Sequence, residues 1–249
     1  MSGSILISGG TGFLGTALSA ELLKRCDVSI YVLVRASSES EAVHRLREAW
    51  QHDGALYAAI GGRVHPVTGD FTRPGLGLDA ETADMLRRRV SHVFHAGAEV
   101  GFQKGEAELM AVNVEGTRNM LAFAATLEGL ERFTHVSTAY VAGRRSGVIR
   151  EDDPVGTAFS SLYEKSKAEA EVLVRASGLP FAICRPGMIV GDSRTGRAKS
   201  FNTVYYVMKR MLLGGLRALP VKRDQRINVV PVDYVASAVA KLGLSDAAA

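Results

Sequence analysis

Tyr163 and Lys167 stand four residues apart in this 249-residue sequence, in the stretch YEKSKAEAE. On a helix, side chains at i and i+4 share a face. An ammonium beside a phenol favours the phenolate, so the pair is expected to pull the tyrosine below its ordinary pKa of about 10. Such a phenol exchanges a proton with a substrate oxygen near neutral pH. Thr138, in HVSTAYVAG, offers a hydroxyl to a developing oxyanion, and Ser137 is the alternative donor. Both also suit a plain turn-capping role. A YxxxK spacing arises on many helices, so its meaning depends on the setting.

The setting begins with Ser8-Gly9-Gly10-Thr11-Gly12-Phe13-Leu14-Gly15. The glycines at 9, 12 and 15 permit a tight turn, a close approach of backbone to a pyrophosphate, and close helix-on-strand packing. A helix starting there aims unpaired N–H groups at an anion. Glycine spacing alone is a weak signal, but here it lies between the apolar run Ile5–Ile7 and the helical spacing of Ala17, Leu18, Leu22 and Leu23. The turn, with Thr11, Phe13 and Leu14, is therefore assigned to dinucleotide binding. An NAD enzyme usually carries an acid at the end of the second strand. Here the run YVLVRA ends on Arg35, whose guanidinium matches a 2′-phosphate. Arg45, on the helix that follows, is a second candidate for that phosphate or a solvent-facing residue. The expected cofactor is NADP(H).

Elements that place these residues can be read from hydrophobic period. Strands are expected at Ile5–Ile7, Ser29–Val34, Val64–Val67, Ser91–His95, Phe133–Ser137, Phe181–Cys184 and Ile227–Val230. Helices are expected over Thr16–Lys24, Glu41–Trp50, Asp79–Arg89, Asn113–Thr126, Tyr163–Ala176 and Val232–Leu242. Alternating strands and helices, with strands apolar throughout, predict an α/β fold: a doubly wound, Rossmann-like parallel sheet. The region Gly187–Leu219 breaks the alternation. Residues 1–186 are read as the dinucleotide-binding core and 187–249 as a small substrate lobe with a returning strand and helix, all in one compact unit.

Composition excludes several classes. Hydrophobic residues at 47% and charged residues at 22% are those of a globular chain rather than a disordered one. The net charge of +4 is spread out, and the single triple, Arg87 to Arg89, reads as a solvated helix face rather than a nucleic-acid patch. Two cysteines, Cys26 and Cys184, without a CxxC or a neighbouring histidine, argue against zinc and against a disulfide framework. No metal is expected. There is no signal-peptide pattern and no run long enough to span a bilayer, so a cytoplasmic location is expected.

In this order the motifs resemble the extended short-chain dehydrogenase/reductase superfamily, and within it the thioester reductase, or male-sterility-type, branch. The resemblance covers nearly the whole chain, through SGGTGFLG, YVLVRA, VTGDFTRPGLGL, VFHAGAEVGF, NVEGT, HVSTAYVAG, YEKSKAEAE, RPGMIVGDSRTG and INVVPVDYVA. GDSRTG together with VPVDYVA favours this branch over sugar epimerases. The resemblance implies a Thr138–Tyr163–Lys167 triad, a phosphate loop at Gly9, Gly12 and Gly15, and a 2′-phosphate site at Arg35. It also implies that Asp70 and Phe71 lie at the adenine and that Ala96, Gly97 and Ala98 run beside the cofactor. Asn113 is implied as a structural asparagine near the lysine, grouped with the cofactor residues. Pro186 and Gly187 are implied at the nicotinamide end. Members of the branch usually continue well beyond PVDYVA with further helices of the substrate lobe, whereas this sequence ends at Ala249. That departure bears on closure of the substrate pocket more than on cofactor binding.

The expected activity is NADPH-dependent reduction of an acyl thioester, on CoA or on an acyl carrier protein, to the aldehyde or onward to the alcohol. The Gly187–Leu219 segment would line the acyl or pantetheine channel, or its Val204, Val207, Met208 and Met211 would be ordinary core at helical spacing. The alternatives are an NADP-dependent carbonyl reductase, a nucleotide-sugar epimerase or dehydratase, or a dinucleotide-binding module without catalysis. Arg35 weighs against an epimerase. Loss of the tyrosine or lysine would mark a non-catalytic module, and both are present. Oligomeric state is left open.

Overall fold

A strand covered on both faces can be apolar on both, and here alternate residues feed two separate cores. A computed structural model describes residues 3–101, 104–198, 204–215 and 227–245. Strands β1 (Ser4–Ser8), β2 (Ile30–Val34), β3 (Val64–Thr68), β4 (Val90–His95), β5 (Arg132–Val136) and β6 (Phe181–Cys184) form a six-stranded parallel sheet in the order β3-β2-β1-β4-β5-β6. The order reverses between β1 and β4. In such sheets the crevice beyond the strand C-termini at that point receives the ligand.

Ile5 and Ile7 face one layer, with Leu18 and Leu22 of α1 (Phe13–Arg25) and Leu46 and Trp50 of α2 (Glu39–Trp50). Leu6 faces the other, with Leu86 of α4 (Ala80–Arg89), Met120 and Phe123 of α6 (Gly116–Ala124) and Val174 of α7 (Leu162–Ala176). Two short helices, α3 (Gly54–Ala59) and α5 (Glu106–Leu109), precede β3 and α6. Helix α7 starts where it does because Ser161 caps it: its Oγ accepts from the Glu164 N–H at 3.2 Å, while Glu164 accepts from the Ser160 N–H at 2.8 Å. The arginine triple closes α4, with Arg87 paired to Asp84 and Arg89 bonded to the Tyr31 hydroxyl. Cations there complement the negative end of the helix.

Beyond β6 the chain leaves the main sheet. Strand β7 (Met188–Val190) pairs in parallel with β8 (Val229–Pro231) as a separate two-stranded sheet. Helix α8 (Val204–Leu212) lies between them in sequence, and α9 (Val232–Leu244) returns into the first core beside α1. Val232, Val235, Ala236, Val239 and Ala240 of α9 are buried.

Several elements differ from the sequence reading. Asn113–Thr126 is not one regular helix: Met110–Glu115 is π-helical and only then does α6 begin. Segments β7 and α3 were not expected, because three and six residues are too short to show a period. Met208 and Met211 on α8 are exposed rather than core. The channel reading of Gly187–Leu219 falls partly outside the described residues, as do Phe102 in VFHAGAEVGF and the side chain of Val204. Among the described residues no helix is long and apolar enough to cross a membrane, and no cluster of metal-ligating side chains is present.

Candidate active site

The glycine turn is built by exclusion of side chains. A Cβ on Gly15 would stand 2.0 Å from the Gly9 carbonyl oxygen, and one on Gly9 would stand 2.6 Å from the Gly97 nitrogen. Gly9 also has φ of +75°, where only glycine is at ease. The Gly12 N–H closes the turn onto the Gly9 carbonyl at 2.9 Å. Gly12 is the N-cap of α1 and makes no side-chain cap bond, the arrangement found at anion-binding helix N-termini. Thr11, Phe13 and Leu14 sit in this turn and on the first turn of α1. The turn therefore fits the pyrophosphate of a dinucleotide. Trp50, the last residue of the helix expected over Glu41–Trp50, is fully buried and its Nε1–H donates to the Gly10 carbonyl at 3.0 Å. Nothing in its spacing announces that role.

Arg35 follows β2 directly and is exposed at the strand's C-terminal end. Arg45 reaches it from α2: its guanidinium donates to the Arg35 backbone carbonyl and lies 3.8 Å from Glu41. The Glu41 carboxylate accepts from both the N–H and the hydroxyl of Ser37, at 2.7 and 2.6 Å. Both arginines thus meet just beyond the C-terminal end of β2.

The other cofactor candidates divide by what they hold. The Asp70 carboxylate accepts from Thr72 N–H and hydroxyl at 2.9 and 2.7 Å, a local turn after β3. Phe71 packs under the crevice floor, so that a Cβ on Gly97 would meet its ring at 2.7 Å and one on Gly116 at 2.6 Å. Ala96 bonds to the Ser8 carbonyl at 3.2 Å, Gly97 donates to Ser8 Oγ at 3.4 Å, and Ala98 is exposed. Asn113 is a brace. Its amide donates to the Glu99 carbonyl at 3.0 Å and to Ser166 Oγ at 2.9 Å, while its oxygen accepts from Glu99 N–H at 2.8 Å. It ties the loop after β4 to α7. The Pro186 carbonyl accepts from the Ala139 N–H at 2.8 Å and from Thr138 Oγ1 at 3.4 Å. At Gly187 the backbone passes so close to Asn228 that a Cβ would collide at 2.6 Å.

Thr138 and Tyr163 come together through a side-chain hydrogen bond, Thr138 as the N-cap of the turn after β5 and Tyr163 on the first turn of α7. Lys167, one helical turn on, is 2% exposed. The expected lowering of the phenol by Lys167 is not what the site shows. Burial is the largest influence on Tyr163 and pushes its pKa up, the bond with Thr138 works against it, and nearby Tyr140 adds to the rise. Lys167 points instead at the sheet: Nζ donates to the Val136 carbonyl at 2.8 Å and lies 3.4 Å from His135 Nε2. Burial lowers its own pKa to about 8, against a raising influence of Glu171.

Ser137, the alternative oxyanion donor, is occupied. Its hydroxyl donates to Glu171 at 2.9 Å. Glu171 is fully buried and also accepts from Arg185 at 3.0 and 2.5 Å and from Arg175 at 3.0 Å. Arg185 in turn donates to the Asp153 carbonyl at 2.8 Å. One carboxylate thus joins the ends of β5 and β6, α7 and the 150–153 turn. Burial opposes its charge, but the donors from Arg185 and Ser137 outweigh that and hold its pKa below the usual glutamate range. Sequence reasoning missed Glu171 and Arg185. The signal available was a glutamate one helical turn after Lys167.

A doubly wound sheet with a glycine turn at its switch point defines a dinucleotide-binding domain. The family model described as male sterility protein matches residues 7–239. The chain is 34% identical over 250 residues to a linear gramicidin synthase of Brevibacillus parabrevis, covering 97% of this chain and 5% of that protein. It is 32% identical over 256 residues to the L-2-aminoadipate reductase large subunit of Penicillium chrysogenum, covering 95% and 18%. Among solved structures, the terminal R domain from the myxalamid PKS-NRPS biosynthetic pathway matches with a TM-score of 0.88 at 36% identity, over 97% of this chain and 62% of that one. The reductase domain of a non-ribosomal peptide synthetase from Mycobacterium tuberculosis matches with a TM-score of 0.80 at 31% identity, over 98% and 63%. This chain belongs to the male sterility protein family, in the thioester reductase branch of the extended short-chain dehydrogenase/reductase superfamily. The cofactor class is a nicotinamide dinucleotide. The chain spans a small part of the length of these curated relatives and under two thirds of the R domains.

Proposed function

We propose that this chain is the cofactor-binding and proton-donating core of an NADPH-dependent reductase of acyl thioesters carried on CoA or on a carrier protein. The observation that carries this reading is the Thr138–Tyr163 hydrogen bond, with the phenol's pKa pushed up by burial. Reduction of a carbonyl needs a proton donor, and a phenol beside the Thr138 hydroxyl is a group that can supply one. The bound cofactor supplies hydride to the carbonyl carbon. The Tyr163 hydroxyl hands its proton to the carbonyl oxygen, and Thr138 orients that hydroxyl and donates to the oxygen as charge gathers there. The resulting hemithioacetal expels the thiol and leaves an aldehyde. Lys167, with two ammonium protons directed at Val136 and His135, has a third to offer the nicotinamide ribose. The glycine turn and the α1 N-terminus hold the pyrophosphate, and Arg35 and Arg45 take the 2′-phosphate.

The test is NADPH oxidation with a panel of acyl-CoA and carrier-bound thioesters, run beside free aldehydes and a Tyr163→Phe control. Thioester-dependent turnover that Tyr163→Phe abolishes, with cofactor binding kept, is the expected result. Turnover of aldehydes alone moves the chain to the carbonyl reductases. No turnover above the control with any substrate removes the enzymatic reading.

A further inference from the structure

Register places Ser8 of β1 beside His95 of β4, and His95 beside His135 of β5, so three polar side chains cross the buried sheet in a row toward Lys167. The bonds fix the tautomers. Thr117 Oγ1 gives its proton to the Asn113 carbonyl at 2.7 Å, so it accepts from His95 Nε2–H at 3.0 Å. His95 Nδ1 then accepts from the Ser8 hydroxyl at 2.6 Å. His135 differs. Its Nε2 faces the Lys167 ammonium at 3.4 Å and must present a lone pair, which leaves the proton on Nδ1. Among the described residues that Nδ1 is buried and has no partner.

A buried N–H without an acceptor is costly, and it persists where another demand on the group outweighs it. The demand visible here is the lone pair on the opposite ring nitrogen. We propose that His135 is a positioning residue for Lys167, holding the ammonium at one fixed place above the end of β5. A hydrophobic residue would fill the site equally well and leave Val136 as the one acceptor on the strand. The neutral ring anchors the ammonium without quenching its charge. The other titratable groups around Lys167 are His95 from β4, with Glu171 and Tyr163 from its own helix. Tyr140 of the turn after β5 acts on Tyr163, and Glu106 of α5 pairs with Lys165 on the exposed flank.

The inference rests on the reductase reading for its activity readout, so the experiment carries a second readout that does not. The variants His135→Phe, His135→Met and His135→Gln are compared with wild type in full-length protein. Side-chain NMR follows the Lys167 titration, and kcat/KM is followed against pH with NADPH and an acyl-CoA. Losing an acceptor disfavours the ammonium, so Phe and Met should move the Lys167 titration and the alkaline limb of kcat/KM to lower pH, with about a tenfold loss of activity at pH 8. The Gln variant, which keeps an acceptor, should restore both toward wild type. If Phe does not fold, Met and Gln make the same comparison. Unmoved titration in Phe or Met, or equal displacement in Gln, overturns the proposal. A wild-type chain without turnover removes the reductase reading and leaves the Lys167 titration to judge His135.

Discussion

Ser137 and Thr138 are neighbours in sequence and serve opposite sides of the β5 terminus: Ser137 donates inward to Glu171 at 2.9 Å, and Thr138 is bonded to Tyr163. The extended backbone at this point alternates side chains and separates a structural hydroxyl from a reactive one. Thr138→Val should lower kcat by roughly 100-fold, the usual cost of one donor to an oxyanion, with little change in melting temperature. Ser137→Ala should do the reverse, costing about 1.5–3 kcal/mol of stability through one lost hydrogen bond to a buried carboxylate while sparing kcat. Steady-state kinetics and thermal melts of both variants decide it, and equal loss of kcat in the two would show that the roles are shared.

Lys167 makes the activity sensitive to alkali. Burial brings its pKa to about 8, so kcat/KM, which reports the free protein, should decline above that pH. A profile that stays level to pH 10 would mean that the ammonium is not needed.

Acid should destabilise the fold earlier than carboxylates alone would. His95 is buried neutral with its pKa lowered to about 3, chiefly by burial, and His135 is lowered well below its ordinary value for the same reason. In the unfolded chain both take up protons near pH 6.5. The stability they allow is therefore complete above that pH and is lost as pH falls toward the folded values, by about 1.4 kcal/mol per unit for each ring. Glu171, whose folded pKa is lowered, adds a further loss below about pH 4.3, its unfolded value. Chemical denaturation between pH 7 and 4.5 should show the histidine slope, to which His92 and His65 also contribute, and His95→Gln should reduce it. A flat curve over that range would place the rings in water.

Arg35 should decide between the two nicotinamide cofactors. Arg35→Ala removes a guanidinium from the exposed end of β2 and should raise the KM for NADPH at least about tenfold while leaving NADH nearly unchanged. Arg45→Ala should act in the same direction and more weakly, since its guanidinium also serves the Arg35 carbonyl. Equal losses for both cofactors would assign the arginines to something other than a 2′-phosphate.

The parts of this molecule legible in sequence are those with a period or a glycine requirement. The alternation of Ile5, Leu6 and Ile7 between two cores, the turn at Gly9 to Gly15, and the shared face of Tyr163 and Lys167 each follow from local geometry. What stayed hidden depends on partners far apart in the chain. Trp50 reaches Gly10 across forty residues, Arg185 finds Glu171, and His135 lies under Lys167. The sign of the tyrosine shift was also illegible, because the i, i+4 spacing shows a shared face but not which way an ammonium turns or how deeply a phenol is buried. The bonds of Asn113 to Glu99 and Ser166, from the π-helical turn, likewise join residues that no local spacing brings together.

Helix α9 lies against α1, with Arg25 bonded to Ser237 at 2.8 Å and Gly243 set so close to Phe94 that a Cβ would come within 2.3 Å of its ring. Helix α1 thus keeps one apolar flank uncovered until α9, Val232–Leu244, has been synthesised. At ribosomal speeds that interval is on the order of ten seconds or more. During it the phosphate-loop half is an unfinished layer, exposed to chaperones and to its own neighbours on the polysome. Nascent chains arrested before Val232 should accordingly be more protease-sensitive around residues 13–25 than those arrested after Leu244 has cleared the exit tunnel.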